Sequence, residues 1–271
     1  MNSFEALIMG IVQGLTEYLP VSSSGHLEIS RSLLGLDLSG AEALDFDLAL
    51  HIATVLSTIT VLRSEFMPLC RSFFTLKNDA NTSYVLKLIV SAIPVGIVGL
   101  CFKDHIEALF GGSLFNVGIC LIVTALLLSF AYFCRTREAI ATRRPGRDIT
   151  WVDAIVIGLS QAVAVLPGLS RSGTTIATGI LLGDNRDKVA KFSFFMVIIP
   201  ILGEGLLDVM KMIGSADYSG SVGALPLAIG FVTSYLVGCA ACRWMLDIVK
   251  KGKLVWFALY CVIVGLVCIF A

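Results

Sequence analysis

Two polar stretches that interrupt apolar sequence carry residue types suited to a phosphorylated ligand. In the first, Gln13 and Glu17 lie four residues apart and share one face of a helix. Ser22, Ser23 and Ser24 follow after a proline. Serines after a proline break are natural N-caps, and the half-helix that begins there points free backbone N–H groups at the bend. The first stretch therefore predicts an anion site at the start of a helix.

The second stretch repeats this arrangement and adds a positive charge. Its hydroxyl side chains are Ser170, Ser172, Thr174 and Thr175, and Arg171 lies among them. The planar guanidinium of arginine matches the geometry of phosphate oxygens and donates charge-assisted hydrogen bonds to them. Two positive helix ends, several hydroxyl donors and one arginine suit a phosphate or a pyrophosphate.

A carboxylate beside such an anion predicts a metal ion. Mg²⁺ and Ca²⁺ take oxygen ligands, and a carboxylate next to a phosphate group ordinarily recruits a hard cation of this kind. Glu17 is the leading candidate ligand. The amide of Gln13 is a neutral second ligand.

Ser23 and His26 have the spacing of a nucleophile and its base, because residues three apart lie about one turn from each other on a helix. The alternative is structural. Serines near a proline bend often serve only as helix caps, and a single histidine is often a hydrogen-bonded core residue. The residues alone leave both interpretations open.

The composition excludes two large classes of protein. Of 271 residues, 56% are hydrophobic and 15% are charged, and the mean hydropathy is +0.88, which excludes a soluble globular protein. Twenty Lys and Arg residues balance twenty Asp and Glu residues. Without a positive surplus the chain is not suited to binding phosphate backbones, so we expect no nucleic-acid partner.

Long apolar runs predict an all-α polytopic membrane protein, because a helix needs about 20 residues to cross the bilayer. Six runs qualify, and they cover residues 44 to 63, 84 to 103, 113 to 133, 189 to 212, 222 to 245 and 254 to 271. Two further apolar segments, 4–35 and 151–183, are interrupted by Pro20 and Pro167. Each is predicted to form two short helices joined at a bend, as a re-entrant hairpin.

The two broken segments are copies of each other at a constant offset of 148 residues. Gln13 falls on Gln161, and the serine and glycine residues of the two bends also match. The chain is therefore predicted to be a single membrane domain built from two repeats, 1–135 and 150–271, each with one hairpin and three spans. An odd number of spans inverts the second repeat relative to the first.

The distribution of charge supports this layout. Most of the 20 Lys and Arg residues fall in loops on one side, which the positive-inside rule assigns to the cytoplasm, and the basic segment 143–147 is explained as a topology signal. The first hairpin would then open to the outside and the second to the cytoplasm, with their tips near mid-membrane. Ionisable groups at membrane depth are costly, which indicates a function for Glu17 and Arg171.

These motifs resemble those of a known family. The undecaprenyl pyrophosphate phosphatases of bacterial inner membranes, of the bacitracin-resistance type, have two signature motifs. This chain is similar to both, with QGLTEYLPVSSSGH from Gln13 to His26 and PGLSRSGTT from Pro167 to Thr175. The chain length, the order of the motifs and the duplicated layout also fit, so the resemblance covers essentially the whole chain.

The resemblance implies an activity and a place in the cell. The activity is hydrolysis of undecaprenyl pyrophosphate to undecaprenyl phosphate and inorganic phosphate, which recycles the lipid carrier for peptidoglycan and other envelope polymers. A divalent-metal requirement, met by Mg²⁺ or Ca²⁺, is implied as well. So are a role in bacitracin resistance and a multi-pass protein of the bacterial inner membrane whose site faces the periplasm.

The resemblance also assigns residues, position by position. The family's motifs place functional positions at Gln13, Glu17, Ser23, His26, Ser170, Arg171, Ser172 and Thr175. The predicted catalytic residues are thus Glu17, Ser23, His26 and Arg171, the predicted substrate-binding residues are Ser22, Ser24, Ser170, Ser172 and Thr175, and the predicted metal ligands are Glu17 and Gln13. Some members have Glu at the position of Gln13, so this chain has one fewer anionic ligand.

Two mechanisms use these residues. In one, Ser23 attacks the terminal phosphorus with His26 as base, and water then releases phosphate. In the other, water activated by His26 or Glu17 attacks directly. A rival function is a transporter or flippase for a phosphate-bearing lipid or an anion, because inverted repeats with broken helices also build transporter sites. The residues do not specify an oligomeric state and leave a homodimer open.

Two other polar residues lie inside predicted spans. His51 follows Asp47 by four residues, so we expect an ion pair between them near the membrane interface, and a role of His51 in the site is the alternative. Glu204 lies between two glycines, and the family motifs give it no role. Because an acidic group within a span is costly, Glu204 is interpreted as a packing or conformational residue.

Overall fold

The chain is folded into helices joined by short turns in a computed structural model that describes residues 1–36, 38, 40–110, 113–136, 146–214 and 222–271. Within these ranges the helices are α1 (Ser3–Thr16), α2 (Ser23–Leu34), α3 (Gly40–Val61), α4 (Arg63–Phe74), α5 (Ala80–Phe110), α6 (Leu114–Ala131), α7 (Trp151–Val163), α8 (Arg171–Leu182), α9 (Arg186–Met196), α10 (Ile198–Gly214), α11 (Ala224–Lys250) and α12 (Val255–Phe270). A π-helical turn, Tyr132–Thr136, follows α6. The all-α class is thus confirmed.

Five segments of the described chain are long and apolar enough to cross a membrane. They are Glu42–Val61, Ala80–Phe102, Leu114–Arg135, Arg186–Leu207 and Ala224–Lys250. The sixth predicted run, 254 to 271, forms α12, which has 16 residues and is shorter than these spans. Large apolar side chains such as Leu126 and Trp256 are exposed on the outer surface of the helices, where lipid would cover them. The chain is a multi-pass membrane protein.

Each broken segment forms two short helices joined at a bend, as predicted. In the first, α1 ends before Pro20, and the Ser22 side chain caps α2 by accepting a hydrogen bond from the Gly25 N–H at 3.3 Å. In the second, the Ser170 side chain caps α8 by accepting from the Gly173 N–H at 3.0 Å. Equivalent serines therefore begin the second helix of each segment.

The two bends pack directly against each other. The Ser172 hydroxyl donates to the Leu19 carbonyl oxygen at 3.3 Å. A Cβ added at Gly25 would lie 3.1 Å from the Gly168 Cα, so the two backbones come within contact distance there. Gly168 also has a φ of +88°, which glycine adopts without strain. The first and second bends thus form one continuous piece of structure.

The most extensive helix pairs join the two halves of the chain, with α1 and α3 against α11, α6 against α12, and α5 against α7. Small residues allow these helices to approach closely. A Cβ at Gly10 of α1 would lie 2.7 Å from the Gly230 oxygen of α11, and one at Gly158 of α7 would lie 2.5 Å from the Ser91 oxygen of α5. Gly10 and Gly158 are the pair that the 148-residue offset matches.

The segment that leads into α7 is anchored to the loop after α8. The Arg147 N–H donates to the Gly183 oxygen at 3.1 Å, and the Asn185 N–H donates to the Arg147 oxygen at 2.8 Å. The Arg147 guanidinium lies 2.8 Å from the Asp153 carboxylate and 3.7 Å from that of Asp184. Residues 143–145 of the basic segment predicted as a topology signal lie outside the described residues.

We expect Gly158→Ala to destabilise the protein, because the added methyl group would collide with backbone that cannot move aside. The cost should be about 1–3 kcal/mol, seen as a lower Tm of the purified protein in detergent. Gly96→Ala is the control, since a Cβ at Gly96 meets nothing within 4 Å. Equal melting of the two variants would contradict this close helix crossing.

Stability should also depend on the ionisation of Asp184. Burial, and to a lesser extent the neighbouring Asp153 carboxylate, raise the pKa of Asp184 from 3.8 to about 7. The folded chain therefore holds a proton that the unfolded chain releases, and this contribution to stability is lost as the pH rises through that interval. We expect the Tm of Asp184→Asn to exceed that of the wild type increasingly between about pH 4 and pH 8. Thermal melts of both proteins in detergent over this pH range measure the difference, and a difference in Tm that stays constant with pH would contradict the raised pKa of Asp184.

Candidate active site

Glu17 lies at the C-terminal end of α1 and is held by two side chains. Gln13, one turn earlier on the same helix, donates from Nε2 to Glu17 Oε2 at 2.9 Å. Ser23, the first residue of α2, donates from Oγ to the same oxygen at 2.8 Å. The bend folds α2 back towards α1, so that the Ser23 hydroxyl contacts the carboxylate of Glu17, the residue that follows α1. The structure therefore brings together Gln13, Glu17 and Ser23.

Tyr18 fixes the position of this bend. Its ring is buried, and its hydroxyl donates to the Thr54 carbonyl oxygen of α3 at 2.6 Å. The same hydroxyl is 2.8 Å from the Thr58 hydroxyl and also hydrogen-bonds the hydroxyl of Ser57. Tyr18 is thus hydrogen-bonded to one face of α3, and this contact fixes the backbone position of the neighbouring Glu17.

Glu17 and Arg171 line the same cavity, which has a volume of about 250 Å³ and is bordered by both bends. Arg171 is the first residue of α8. Its Nε and Nη1 atoms are buried and have no hydrogen-bond partner. Because an unpaired buried donor is costly, this guanidinium is suited to an anionic ligand. The predicted site residues that line the cavity are Glu17, Ser22, Ser23, Ser24, Ser170, Arg171 and Ser172.

Two helix N-termini also face this cavity. Ser23 begins α2 and Arg171 begins α8, and both residues belong to the cavity lining. The positive ends of the two helix dipoles and their free backbone N–H groups therefore point towards one volume. Together with the guanidinium, they make the cavity electropositive on the side of the bends.

His26 is not part of this cavity lining, and the Ser23 hydroxyl donates to Glu17 rather than to His26, the partner that the resemblance implied. His26 Nδ1 is 2.8 Å from the Ser22 carbonyl oxygen, which can only accept, so Nδ1 carries the proton. His26 Nε2 therefore accepts from the Tyr260 hydroxyl at 2.8 Å, and the two rings are stacked. Both ring nitrogens are used in packing α2 against α12, and the Ser23 hydroxyl donates to Glu17 instead.

His51 takes a different position from the one expected. The predicted ion pair with Asp47 is wrong, because the Asp47 carboxylate accepts from Arg31 instead. His51 Nδ1 is 2.8 Å from the Asp47 backbone oxygen, and His51 Nε2 lies 3.8 Å from Glu17 Oε2. His51 lines the cavity, and so does Glu204. The i, i+4 spacing of Asp47 and His51 in an apolar run indicated one polar face on α3, but not what that face would meet.

Thr175 lies outside the cavity lining, in contrast to its predicted role in substrate binding. Its hydroxyl donates to the Arg171 carbonyl oxygen at 2.9 Å and is 2.6 Å from the Ser193 hydroxyl of α9. Thr175 is almost fully buried. It therefore fixes the first turn of α8, which carries Arg171, and does not itself face the ligand volume.

The metal prediction can be compared with the donor atoms that are present. The described residues contain no group of three or more His, Cys, Asp and Glu side chains arranged to hold an ion. Gln13 is fully buried and is not among the residues that line the cavity, but its Oε1 atom has no hydrogen-bond partner. An amide oxygen beside a carboxylate is a donor pair suited to a hard divalent cation, whose other ligands would come from phosphate oxygens or water.

Comparison with known proteins identifies the family. The family model for bacitracin resistance protein BacA matches residues 6–267. An undecaprenyl-diphosphatase of Parabacteroides distasonis is 54% identical, over 99% of this chain and 98% of the relative. Proteins of the same name from Christiangramia forsetii and Carboxydothermus hydrogenoformans are 44% and 38% identical, over 99% and 98% of this chain and 98% and 95% of theirs. These matches extend over both bends and over the helices that the structure describes, and the chain is therefore a member of the BacA family of bacitracin resistance proteins.

Proposed function

We propose that this chain is an undecaprenyl-diphosphatase, which hydrolyses undecaprenyl pyrophosphate to undecaprenyl phosphate and inorganic phosphate. The observation that carries the proposal is the buried guanidinium of Arg171, unpartnered at Nε and Nη1, in one cavity with the Glu17–Ser23 pair. The relatives named undecaprenyl-diphosphatase supply the identity of the substrate. The product would return to cell-wall synthesis, and loss of the pyrophosphate would account for resistance to bacitracin.

The pyrophosphate would bind between the two bends, with the prenyl chain among the apolar spans. Arg171 presents unpaired donors, and Ser22 and Ser170 cap helices whose N–H groups face the same volume. Ser24 and Ser172 add hydroxyl groups to the lining. Preorganised donors of this kind stabilise the charge that develops on phosphate oxygens during phosphoryl transfer.

Ser23 is the proposed nucleophile, and Glu17 is the proposed base. The Ser23 hydroxyl already donates to Glu17 Oε2 at 2.8 Å, so the proton has an acceptor within hydrogen-bonding distance. Ser23 Oγ attacks the terminal phosphorus, the bond from that phosphorus to the bridging oxygen breaks, and undecaprenyl phosphate leaves. Water then hydrolyses the phosphoserine, which releases inorganic phosphate and restores the hydroxyl.

A divalent cation would be held by the Glu17 carboxylate and the free amide oxygen of Gln13. When bound, such an ion neutralises negative charge on the phosphate oxygens. Mg²⁺ and Ca²⁺ fit the oxygen donors of these two side chains. The residues of the chain itself orient the ligand and transfer the proton.

The proposed topology is six spans with two re-entrant hairpins, arranged as an inverted repeat of residues 1–135 and 150–271. Support comes from the reciprocal packing of the two halves, in which α1 lies against α11 and α7 lies against α5. In this proposal α12 is the sixth span, despite its 16 residues. The excess of basic residues in the loops of one side supports a bacterial inner-membrane protein whose cavity opens to the periplasm.

The function is tested by release of inorganic phosphate from undecaprenyl pyrophosphate by the purified protein in detergent. A phosphatase releases phosphate without any gradient across a membrane. A transporter or flippase for a phosphate-bearing lipid, the rival function, would bind the same lipid and leave it intact. Binding without hydrolysis over a range of divalent cations would therefore overturn the proposal.

We expect phosphorylated Ser23 to accumulate when turnover is quenched rapidly with substrate labelled at the terminal phosphate. Ser23→Ala should lose the label and lower kcat by at least about 100-fold, and Glu17→Gln should lower kcat similarly because it removes the proton acceptor. Peptide mass spectrometry locates the phosphate. Full activity of Ser23→Ala beside an inactive Glu17→Gln would instead show direct attack by water.

Two substitutions of Arg171 should distinguish the contribution of its positive charge to activity from that of its planar guanidinium group. Arg171→Ala is expected to lower kcat/KM by at least about 100-fold, because it removes donors to the phosphate oxygens. Arg171→Lys keeps the charge but loses the planar fork, so we expect only partial recovery. Steady-state kinetics in detergent measure both. If lysine restored full activity, simple charge neutralisation would suffice and the bidentate role would be wrong.

A further inference from the structure

The imidazole of His51 lies in the cavity and has no role in the proposed reaction described so far. We propose that His51 Nε2 is a third protein ligand of the divalent cation, beside Glu17 and Gln13. This inference rests on the proposed function, because it concerns the same site. It completes the ligand set with a nitrogen from α3, a helix that neither signature motif reaches.

The hydrogen bond of His51 determines which nitrogen is free. His51 Nδ1 lies 2.8 Å from the backbone oxygen of Asp47, one turn earlier on α3. A carbonyl oxygen can only accept, so Nδ1 carries the proton, and Nε2 is the ring nitrogen through which a neutral imidazole would bind a cation. Metal-binding histidines usually donate their second ring N–H to a carbonyl or carboxylate in this way, which fixes the ring and the tautomer. His51 is therefore oriented as a ligand before any cation arrives.

The His51 imidazole faces the Glu17 carboxylate across a short gap. His51 Nε2 and Glu17 Oε2 are 3.8 Å apart, which is too long for a hydrogen bond and is the distance of an ion pair. Octahedral ligands about 2.1 Å from one ion are about 3 Å from each other, so a shared ion would draw these two atoms closer by about 1 Å or less. His26, by comparison, has no free nitrogen, since its Nε2 accepts from the Tyr260 hydroxyl.

Gln13 is not among the residues that line the cavity, but it contacts Glu17 and has an oxygen without a partner. The residue is fully buried and its Oε1 atom has no hydrogen-bond partner, while its Nε2 donates to Glu17. A buried amide oxygen without a partner costs free energy that a bound cation would recover. Gln13, Glu17 and His51 thus present one amide oxygen, one carboxylate and one imidazole.

This ligand set has a consequence for the identity of the metal. Mg²⁺, Ca²⁺ and Mn²⁺ are suited to carboxylate and carbonyl oxygen ligands, whereas imidazole suits later metals such as Fe²⁺, Ni²⁺ and Zn²⁺. A chain with Gln rather than Glu at position 13 has only one carboxylate in this ligand set, and a neutral nitrogen ligand adds no charge. We expect His51→Gln to weaken the binding of Mn²⁺ more than that of Mg²⁺, because a transition-metal ion gains more from a nitrogen ligand than Mg²⁺ does.

The test uses Mn²⁺ alone as the probe, on tag-free protein in detergent. Pulsed electron paramagnetic resonance detects the nitrogen nuclei of an imidazole bound directly to Mn²⁺. We expect this nitrogen coupling in the wild type and in the control His26→Gln, and its loss in His51→Gln. Titration should show at least about tenfold weaker Mn²⁺ binding by His51→Gln than by the wild type.

Several outcomes would overturn the inference. Nitrogen coupling that persists in His51→Gln, or that is absent from the wild type at saturating Mn²⁺, shows that His51 is not a ligand. If His51→Gln does not fold, His51→Asn carries the same comparison, with the Tm of each variant measured alongside. Phosphate release without nitrogen coupling would show that His51 is not a ligand and would leave the proposed function intact. Nitrogen coupling without phosphate release would support His51 as a ligand and would contradict the proposed function.

Discussion

Two ionisable side chains held inside an apolar protein are the constraint on which the rest of the structure depends. A buried charge is tolerated only where other groups replace its hydration. Glu17 has such groups in Gln13 and Ser23, but Arg171 keeps two donor atoms without partners. The Arg171 donors are thus placed to bind an anionic ligand. The packing of the surrounding helices must compensate for the free energy lost by burying these donors without a partner.

Irregular backbone at membrane depth has to satisfy its own polar groups, and the two bends do so by using each other. Ser22 and Ser170 cap the helices that begin there, and Ser172 of the second bend donates to the Leu19 oxygen of the first. The contacts that stabilise the bends are therefore the same contacts that shape the cavity. Disturbing one bend should displace donors contributed by the other.

Local pattern predicted those features that depend on neighbours in the sequence. The proline breaks, the serine caps and the Gln13–Glu17 pair follow from the spacing of residues within one turn of helix. The directions of His26 and His51 could not be predicted, because the rotation of α2 and α3 about their axes is set by packing against α12 and the first bend. These contacts join residues 36 and 234 positions apart, and the spacing of residues within one helix does not encode them.

The histidines show why the arrangement concentrates several tasks on Glu17. His26 uses both nitrogens to hold α2, so it cannot also take the Ser23 proton without breaking that packing. Glu17 is the carboxylate that Ser23 and Gln13 both contact and that His51 approaches. Because residue 13 is Gln and not Glu, Glu17 is proposed both to accept the Ser23 proton and to bind the cation, without a carboxylate at position 13 beside it. In the proposed ligand set, the His51 imidazole of α3 takes a share of the cation binding that Glu17 would otherwise provide.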